Sequence, residues 1–330
     1  MGTKQWIRKI SLRVGNDEKA IDLSQLRVRF NVRRGDIATP NTASVRVYNV
    51  SDKTARSIQN SGEFNRVRLE AGYEDSFGVI FDGTITQVRI GRESQTDTYV
   101  DLSVADGDSA YNFAIINKSL AAGSTADEQV DALASAMEPH GVTQGYRPEL
   151  SQNKLPRGKV MFGGARDYLS TIMRDQEAKW SIQDGKMTII PFDNFIPSEA
   201  IEVTSSTGMI GLPESTIGGL NLSVLINPRI RIGTLVHLNN SSIQQYEYSS
   251  GVKQSAGNSK TSIGGAKIND DGLYYVMVAE YVGDTHGQEW YSRLTCLAVD
   301  ATSIPEQVTN KASATGVIIQ SPGRQGPIKY

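Results

Sequence analysis

The sequence predicts a mixed, β-dominated α+β chain with two small β-barrels and an α+β unit between them. Three observations carry this. One strand pattern is written twice, about two hundred residues apart. Between residues 111 and 200 the hydrophobic period changes from two to that of a helix, and it then returns to two. Glycine is plentiful, at 31 residues, and scattered through turn positions, as a chain with many tight connections requires.

The first copy of the pattern runs through Arg66–Glu70, Val79–Gly83, Thr84–Val88 and Thr98–Asp106. The second runs through Thr234–Leu238, Leu273–Val278 and Tyr291–Asp300. Each is an alternating strand, a turn-rich spacer, a long strand, a charged turn and an alternating strand closing on Asp. Two such barrels, of the tudor or SH3-like kind, would give a trimer six quasi-equivalent modules, a ring able to sit between a six-fold and a three-fold body. Short alternating strands also resemble one another by default, so the repeat alone leaves both readings open.

Taken in order, the elements begin with Leu26–Arg33, where Leu26, Val28, Phe30 and Val32 alternate with Arg27, Arg29, Asn31 and Arg33. That is a half-buried strand. Its arginine face suits either solvent or the carboxylates of a neighbouring subunit. Turn chemistry at Gly35–Asn41 leads to a second strand, Ala43–Asn49. Ser51 is placed to cap a short helix with Ala55 and Ile58 on one side. In the middle unit Thr125 and Glu128 form a capping box ahead of Val130, Leu133, Ala134 and Met137 at helical spacing. Pro139 and Gly141 end that helix. Lys159–Phe162 reads as a brief strand, and Tyr168, Leu169, Ile172 and Met173 as the apolar face of a second helix. Trp180–Ile182 and Lys186–Ile190 flank Asp184-Gly185, the strongest short hairpin signal. Strands return at Ile201–Val203 and at Leu220–Ile226, the latter stopped by Asn227-Pro228.

The domains expected are therefore residues 1–110, a first barrel; 111–200, the α+β unit; 201–302, a second barrel carrying a long polar loop at 239–271; and 303–330, an extended arm. The loop is rich in Ser, Gly, Asn and Gln, and connections of that length are usually functional or disordered. The arm is polar except for Val317, Ile318, Ile319 and Tyr330, which are its candidate partner-binding residues.

Composition excludes several classes. A net charge of -2 over 330 residues argues against a dedicated nucleic-acid binder. A single cysteine, Cys296, permits no intrachain disulfide and sits in an alternating strand as a buried thiol. The N-terminus lacks a signal-peptide core, and no stretch is apolar enough for a membrane helix, so a protein folded in a cytoplasm without membrane insertion is expected.

Enzyme chemistry finds no set of residues to carry it. His140, His237 and His286 lie in unrelated contexts without metal-ligand spacing. Asp106-Gly-Asp108 and Asp270-Asp271 read as solvated or turn-capping acids rather than calcium or catalytic carboxylates. Gly257–Thr261 has the wrong spacing for a phosphate loop, and no nucleophile elbow is present. Catalytic, cofactor and metal residues are thus expected to be none. Arg34-Gly35-Asp36 reads as a polar hairpin end. Tyr246, Tyr248, Tyr274 and Tyr275 are the only aromatic cluster that would suit a glycan, with Tyr274 and Tyr275 expected on a strand, one inward and one outward.

Several segments resemble one family. Phe30–Asn49 with Thr39-Pro-Asn41, then Ala71-Gly-Tyr73, Ile80–Gly83 and Asp106-Gly-Asp108, are similar to bacteriophage tail baseplate hub proteins. So are Trp180–Gly185, Thr207–Pro213, Leu225–Pro228 and Gly283–Trp290, in the same order over roughly residues 25–300. The resemblance extends to the base of type VI secretion spikes. It implies a structural homotrimer with pseudo-six-fold symmetry that joins the hexameric tail tube, or a distal tail protein, to the trimeric central spike. It also implies a channel through which the tape-measure protein and then DNA pass, a place in the virion baseplate and assembly in the host bacterial cytoplasm. A lumen that must not grip DNA is expected to be neutral to acidic. The alternatives are a host-surface glycan-binding tail-tip protein and a cell-wall hydrolase. The 239–271 stretch departs from a compact barrel hairpin.

Overall fold

Strand periodicity is realised almost residue by residue in β3 (Val28–Gly35), where Val28, Phe30 and Val32 are buried and Arg29, Asn31 and Arg33 exposed. The structure, a computed structural model, describes residues 7–16, 19–60, 62, 64–192, 194–216, 219–238, 244–245, 272–299 and 318–319. The N-terminal region runs β1 (Arg8–Gly15), β2 (Ala20–Asp22), β3, β4 (Thr42–Tyr48), α1 (Asp52–Asn60), β5 (Arg66–Tyr73), β6 (Ser76–Arg92) and β7 (Thr98–Ala105). The middle region runs α2 (Asp108–Phe113), β8 (Ile115–Leu120), α3 (Ala126–Met137), β9 (Thr143–Gln144), β10 (Lys159–Gly164), α4 (Ala165–Asp175), β11 (Ala178–Gln183) and β12 (Lys186–Pro191). The C-terminal region runs β13 (Ser198–Glu199), β14 (Ile201–Val203), β15 (Met209–Thr216), β16 (Gly219–Leu225), β17 (Leu235–Leu238), β18 (Gln244–Gln245), β19 (Leu273–Asp284), β20 (Trp290–Ala298) and β21 (Ile318–Ile319).

The β-dominated α+β class is the one the sequence predicts. The described pairings close no barrel. The strands of both outer regions, apart from β13 and β21, instead share one sheet of 14 strands, whose main path is β18-β15-β16-β20-β19-β3-β4-β7-β6-β5-β1-β2, with β14 and β17 beside β19. Two blocks of four strands lie edge to edge in it, β15-β16-β20-β19 and β3-β4-β7-β6. Within each block the strands follow the same order, the fourth in sequence inserted between the second and the third. The twice-written pattern falls on matching members, with β5, β6 and β7 in one copy and β17, β19 and β20 in the other. Even the irregularities coincide. Thr86 is the extra residue of a bulge between β6 and β7, and Met277 of one between β19 and β20. A single apolar cluster, from Leu12 and Val14 through Leu102 to Val276 and Cys296, packs beneath both blocks.

The middle region has a core of its own, built from Val130, Leu133 and Met137 of α3, Leu169, Ile172 and Met173 of α4, and Trp180 and Ile189 of the β11–β12 hairpin. Of its helices, α3 begins and ends where the sequence places it, while α2 was not read in the sequence. The Thr125–Glu128 capping box is formed, and after Met137 a 3-10 turn over Glu138–His140 ends on Gly141 at φ 82°. Thr54 N–H donates to Ser51 Oγ at the start of α1. In the hairpin turn Asp184 and Gly185 both have positive φ, 54° and 73°, the backbone of a type I′ turn.

Candidate functional site

Two places concentrate the polar chemistry of this fold, and both are joints. The first joins the two blocks through β3 and β19, paired antiparallel from Val278 opposite Gly35 to Asp284 opposite Arg29. Arg27 grips the Asp284 carboxylate with two N–H groups at 2.7 and 3.2 Å while its guanidinium lies 4.6 Å over the Tyr48 ring. That hydrogen bond holds the Asp284 carboxyl below the usual range. Phe30 meets Trp290 edge-on at 5.5 Å. Gly283 has to be glycine here, because a Cβ would fall 2.4 Å from the Phe30 ring. The arginine face predicted for β3 thus finds carboxylates within its own chain: Arg27 on Asp284, Arg29 with Glu289 at 3.9 Å, and Arg33 directly across from Glu280.

The second joint clamps the middle region onto the sheet. Arg34 occupies an inward position of β3, where the period calls for an apolar residue, and its side chain is 4% exposed. It donates to Ile80 O at 3.0 Å, to Gln183 Oε1 at 3.0 Å and to Asp184 Oδ2 at 2.9 Å. Asn41 Nδ2 donates to Ile182 O and Gln183 Oε1, while its Oδ1 accepts from Gly35 N–H. Asp106 receives the turn N–H groups of Asp184 and Gly185 at 2.6 and 2.8 Å. Burial dominates its environment and raises its carboxyl to about 6 despite those donors. Gly107, at φ 70°, lets β7 pass into α2 beside Ile182, whose Cδ1 would lie 2.6 Å from any Cβ there. Asp36 accepts from Lys179 Nζ at 2.8 Å and from Tyr275 OH at 3.0 Å, and burial pushes the Tyr275 phenol up.

Three sequence expectations are corrected by this clamp. Arg34-Gly35-Asp36 is no solvent-facing hairpin end, since both charged side chains are buried. Asp106 is not solvated but buried, and it takes the turn-capping alternative on a turn in another region. Tyr274 and Tyr275 do take opposite faces of β19, but both are covered, Tyr274 in the main core and Tyr275 in a small cluster with Phe195 and Leu235. The sequence carried one signal for the clamp: the alternation Val28, Phe30, Val32 continues onto Arg34.

The remaining candidates are spread apart. Ile318 and Ile319 form β21, whose backbone pairs antiparallel with Ser198 and Glu199 of β13. Val317 and Tyr330 lie outside the described residues, as do Tyr246, Tyr248, Asp270 and Asp271. His140 Nδ1 is hydrogen-bonded to Ser109 Oγ and His286 Nδ1 to Thr285 Oγ1, while His237 lies on β17. Among the described residues no three His, Cys, Asp or Glu side chains are grouped to hold a metal, and no helix is long and apolar enough to cross a membrane. One surface went unread in the sequence. The β8–β10 ribbon buries Ile116 and Met161 but exposes Ile115, Val160 and Phe162 on its other face, with Phe113 beside them. The Tyr168 hydroxyl both accepts from Phe162 N–H and donates to Phe162 O, tying down that edge.

The polar joints thus serve to hold together a sheet assembled from two like blocks. The family model described as baseplate hub gp41 matches residues 7–245, and the chain belongs to that family, a family of virion tail components. Among solved structures it is similar to the 43 kDa tail protein of prophage MuSo2 from Shewanella oneidensis. That match has 9% identity and a TM-score of 0.54, covering 89% of this chain and 99% of that one. It is also similar to the tail protein of Neisseria meningitidis MC58, with 11% identity and a TM-score of 0.51, covering 88% and 96%. At such identities these two share its fold. No curated protein matches the chain.

Proposed function

We propose that this chain is a symmetry adaptor, a homotrimeric ring of six quasi-equivalent modules. One face would meet the hexameric tail tube or a distal tail protein and the other the trimeric central spike. The observation that carries this reading is the repeated block: β3-β4-β7-β6 and β15-β16-β20-β19 have one strand order and are already joined edge to edge. A chain with two modules of one topology supplies six near-identical edges from three copies, which is what a junction between six-fold and three-fold bodies requires. Each block with its flanking strands is the counterpart of one of the small barrels expected from the sequence, and the 1–110, 111–200, 201–302 and 303–330 divisions serve as the working domains.

In this reading the polar face of the sheet lines the channel taken by the tape-measure protein and DNA. Its arginines are matched by acids, Arg46 with Asp101 at 2.7 Å and Arg293 with Glu280 at 3.6 Å. A charge-balanced wall of that kind offers DNA no continuous basic stripe to grip. The arm, with Val317, Ile318, Ile319 and Tyr330, straps onto the spike or a neighbouring copy by adding a strand, as β21 does on β13. The role is non-enzymatic, and the ring assembles in the host cytoplasm before joining the virion.

Copy number tests the reading. Quantitative mass spectrometry of purified particles is expected to find three of these chains for every six of one tube ring. A ratio of six to six, or absence of the chain from particles, contradicts the adaptor. Release of fragments from purified cell wall by the chain would favour a hydrolase instead.

A further inference from the structure

Of the large apolar side chains among the described residues, the four most exposed are Phe162, Val160, Phe113 and Ile115, at 66 to 70%. All four belong to the β8–β10 ribbon and the end of α2 that leads into it. Register puts three of them on one face. Phe162 lies opposite Asn117 and Val160 opposite Ser119, with Ile115 two residues before Asn117, whereas Ile116 and Met161 point the other way and are buried. Side chains of this size and exposure make a patch of roughly 500 Å², toward the top of what a monomer leaves in water. Its frame is fixed. Ile116 and Met161 are packed into the middle core with α3 and α4, and Tyr168 OH holds both backbone groups of Phe162 at 3.1 and 3.3 Å.

The charges around this face have one sign. Residues 109–120 and 154–166 contain Lys118, Lys154, Arg157, Lys159 and Arg166 and no Asp or Glu, in a chain whose net charge is -2. The acids that bound these segments are engaged locally: Asp108 accepts from Asn112 at 2.9 Å, and Asp167 lies 3.6 Å from Arg166. Asp127 and Asp131 of α3 are both paired with Arg147. Two of the cations are held beside the apolar face. Lys159 Nζ donates to Gln129 Oε1 at 2.8 Å, and the Arg166 guanidinium lies 4.6 Å over the Tyr111 ring.

We infer that the outer face of the β8–β10 ribbon is the docking surface for a different protein of the tail, which lays an apolar segment flanked by Asp or Glu across it. Phe162, Phe113, Ile115 and Val160 form the desolvated centre, and the five cations form the rim that steers and orients the partner. The same face of a second copy fits poorly, because it would set five cations against five. A lipid layer fits poorly too. Asn117 and Ser119 stand on the same face as Phe162 and Val160, and hydrocarbon would leave their side chains without partners that a polypeptide can supply. The segment crosses the face rather than extending the ribbon, since Tyr168 already occupies the β10 edge at Phe162. Because the ribbon stands apart from the joints of the large sheet, its use does not depend on the ring reading.

Photo-cross-linking in assembled particles tests this. The full-length chain carrying p-benzoylphenylalanine in place of Phe162 is supplied during particle assembly, the particles are irradiated, and the product is sequenced by mass spectrometry. One other tail protein should be captured, through an apolar segment with Asp or Glu beside it. The probe at Ile115 should capture the same segment, and serves alone if bulk at position 162 blocks assembly. The probe at Phe192, exposed outside the ribbon, should not capture it. A product with this chain itself or with lipid, a partner segment without acids, or no product beyond that seen at Phe192 overturns the inference. Phe162→Asp gives an independent check. It should leave the melting of the isolated chain unchanged and reduce the captured protein in particles about tenfold or more, and undiminished occupancy of that protein contradicts the docking surface.

Discussion

β6 and β19 follow the same course through blocks of the same order, bulge at the same place and pair with the same kinds of neighbour on one flank. They differ in what lies on the other flank. Where β3 covers β19, an aromatic at an inward position is sealed and its hydroxyl donates to Ile230 O at 2.8 Å. Where nothing described covers β6, the matching Ile90 stays half exposed. Burial in this protein is therefore set by strand partners as well as by the alternation that β3 follows.

The largest effect expected is from truncation at the two matched positions. Tyr281→Ala should cost about 4 kcal/mol in denaturant unfolding, because a cavity and an unpaired carbonyl remain. Ile90→Ala in the unassembled chain should cost under about 1 kcal/mol. Equal costs would dissolve the contrast. Next come the neighbours Arg33 and Arg34, which carry one chemistry on opposite faces of β3. Arg34→Met strands the partly buried carboxylate of Asp184 and the amide of Gln183, and about 3 kcal/mol should be lost. Arg33→Met on the exposed face should change stability by under about 1 kcal/mol.

A comparable effect follows from Asp106. Its folded carboxyl is raised from 3.8 to about 6, so between those values the folded chain holds a proton that the unfolded chain has released. The stabilising contribution is present in full below about pH 4 and is lost as pH rises through about 6, a change of about 3 kcal/mol. Asp106→Asn should flatten that part of the stability profile, as urea unfolding from pH 4 to 7 would show. An unchanged slope would place the titrating group elsewhere. The smallest effect is at the ribbon: Phe162→Ser should shift stability by less than about 0.5 kcal/mol, since the ring is already in solvent.

β3, the Thr125–Glu128 box and the Asp184-Gly185 turn were legible because alternation and capping are local and need no tertiary information, whereas β1, α2 and β8 went unread. The repeat was legible too, as matching strands. The merging of two expected barrels into one sheet was not, because the β19–β3 pairing spans residues about 250 positions apart and nothing in either strand names its partner. The clamp was hidden for the same reason. Asp106 looks like a turn acid until the Asp184-Gly185 hairpin is brought against it, and Arg34 alone hinted at a buried charge by falling on the apolar side of its strand. The ribbon was read as a brief strand at Lys159–Phe162, with no sign that its outer face would find no cover within the chain.

The central claim is most directly tested by tracing this chain in the tail tip of intact particles by cryo-electron microscopy. Three copies around the axis between tube and spike, with the two blocks alternating around the ring, are the predicted result. A single copy, six copies, or a peripheral position away from the channel would contradict it.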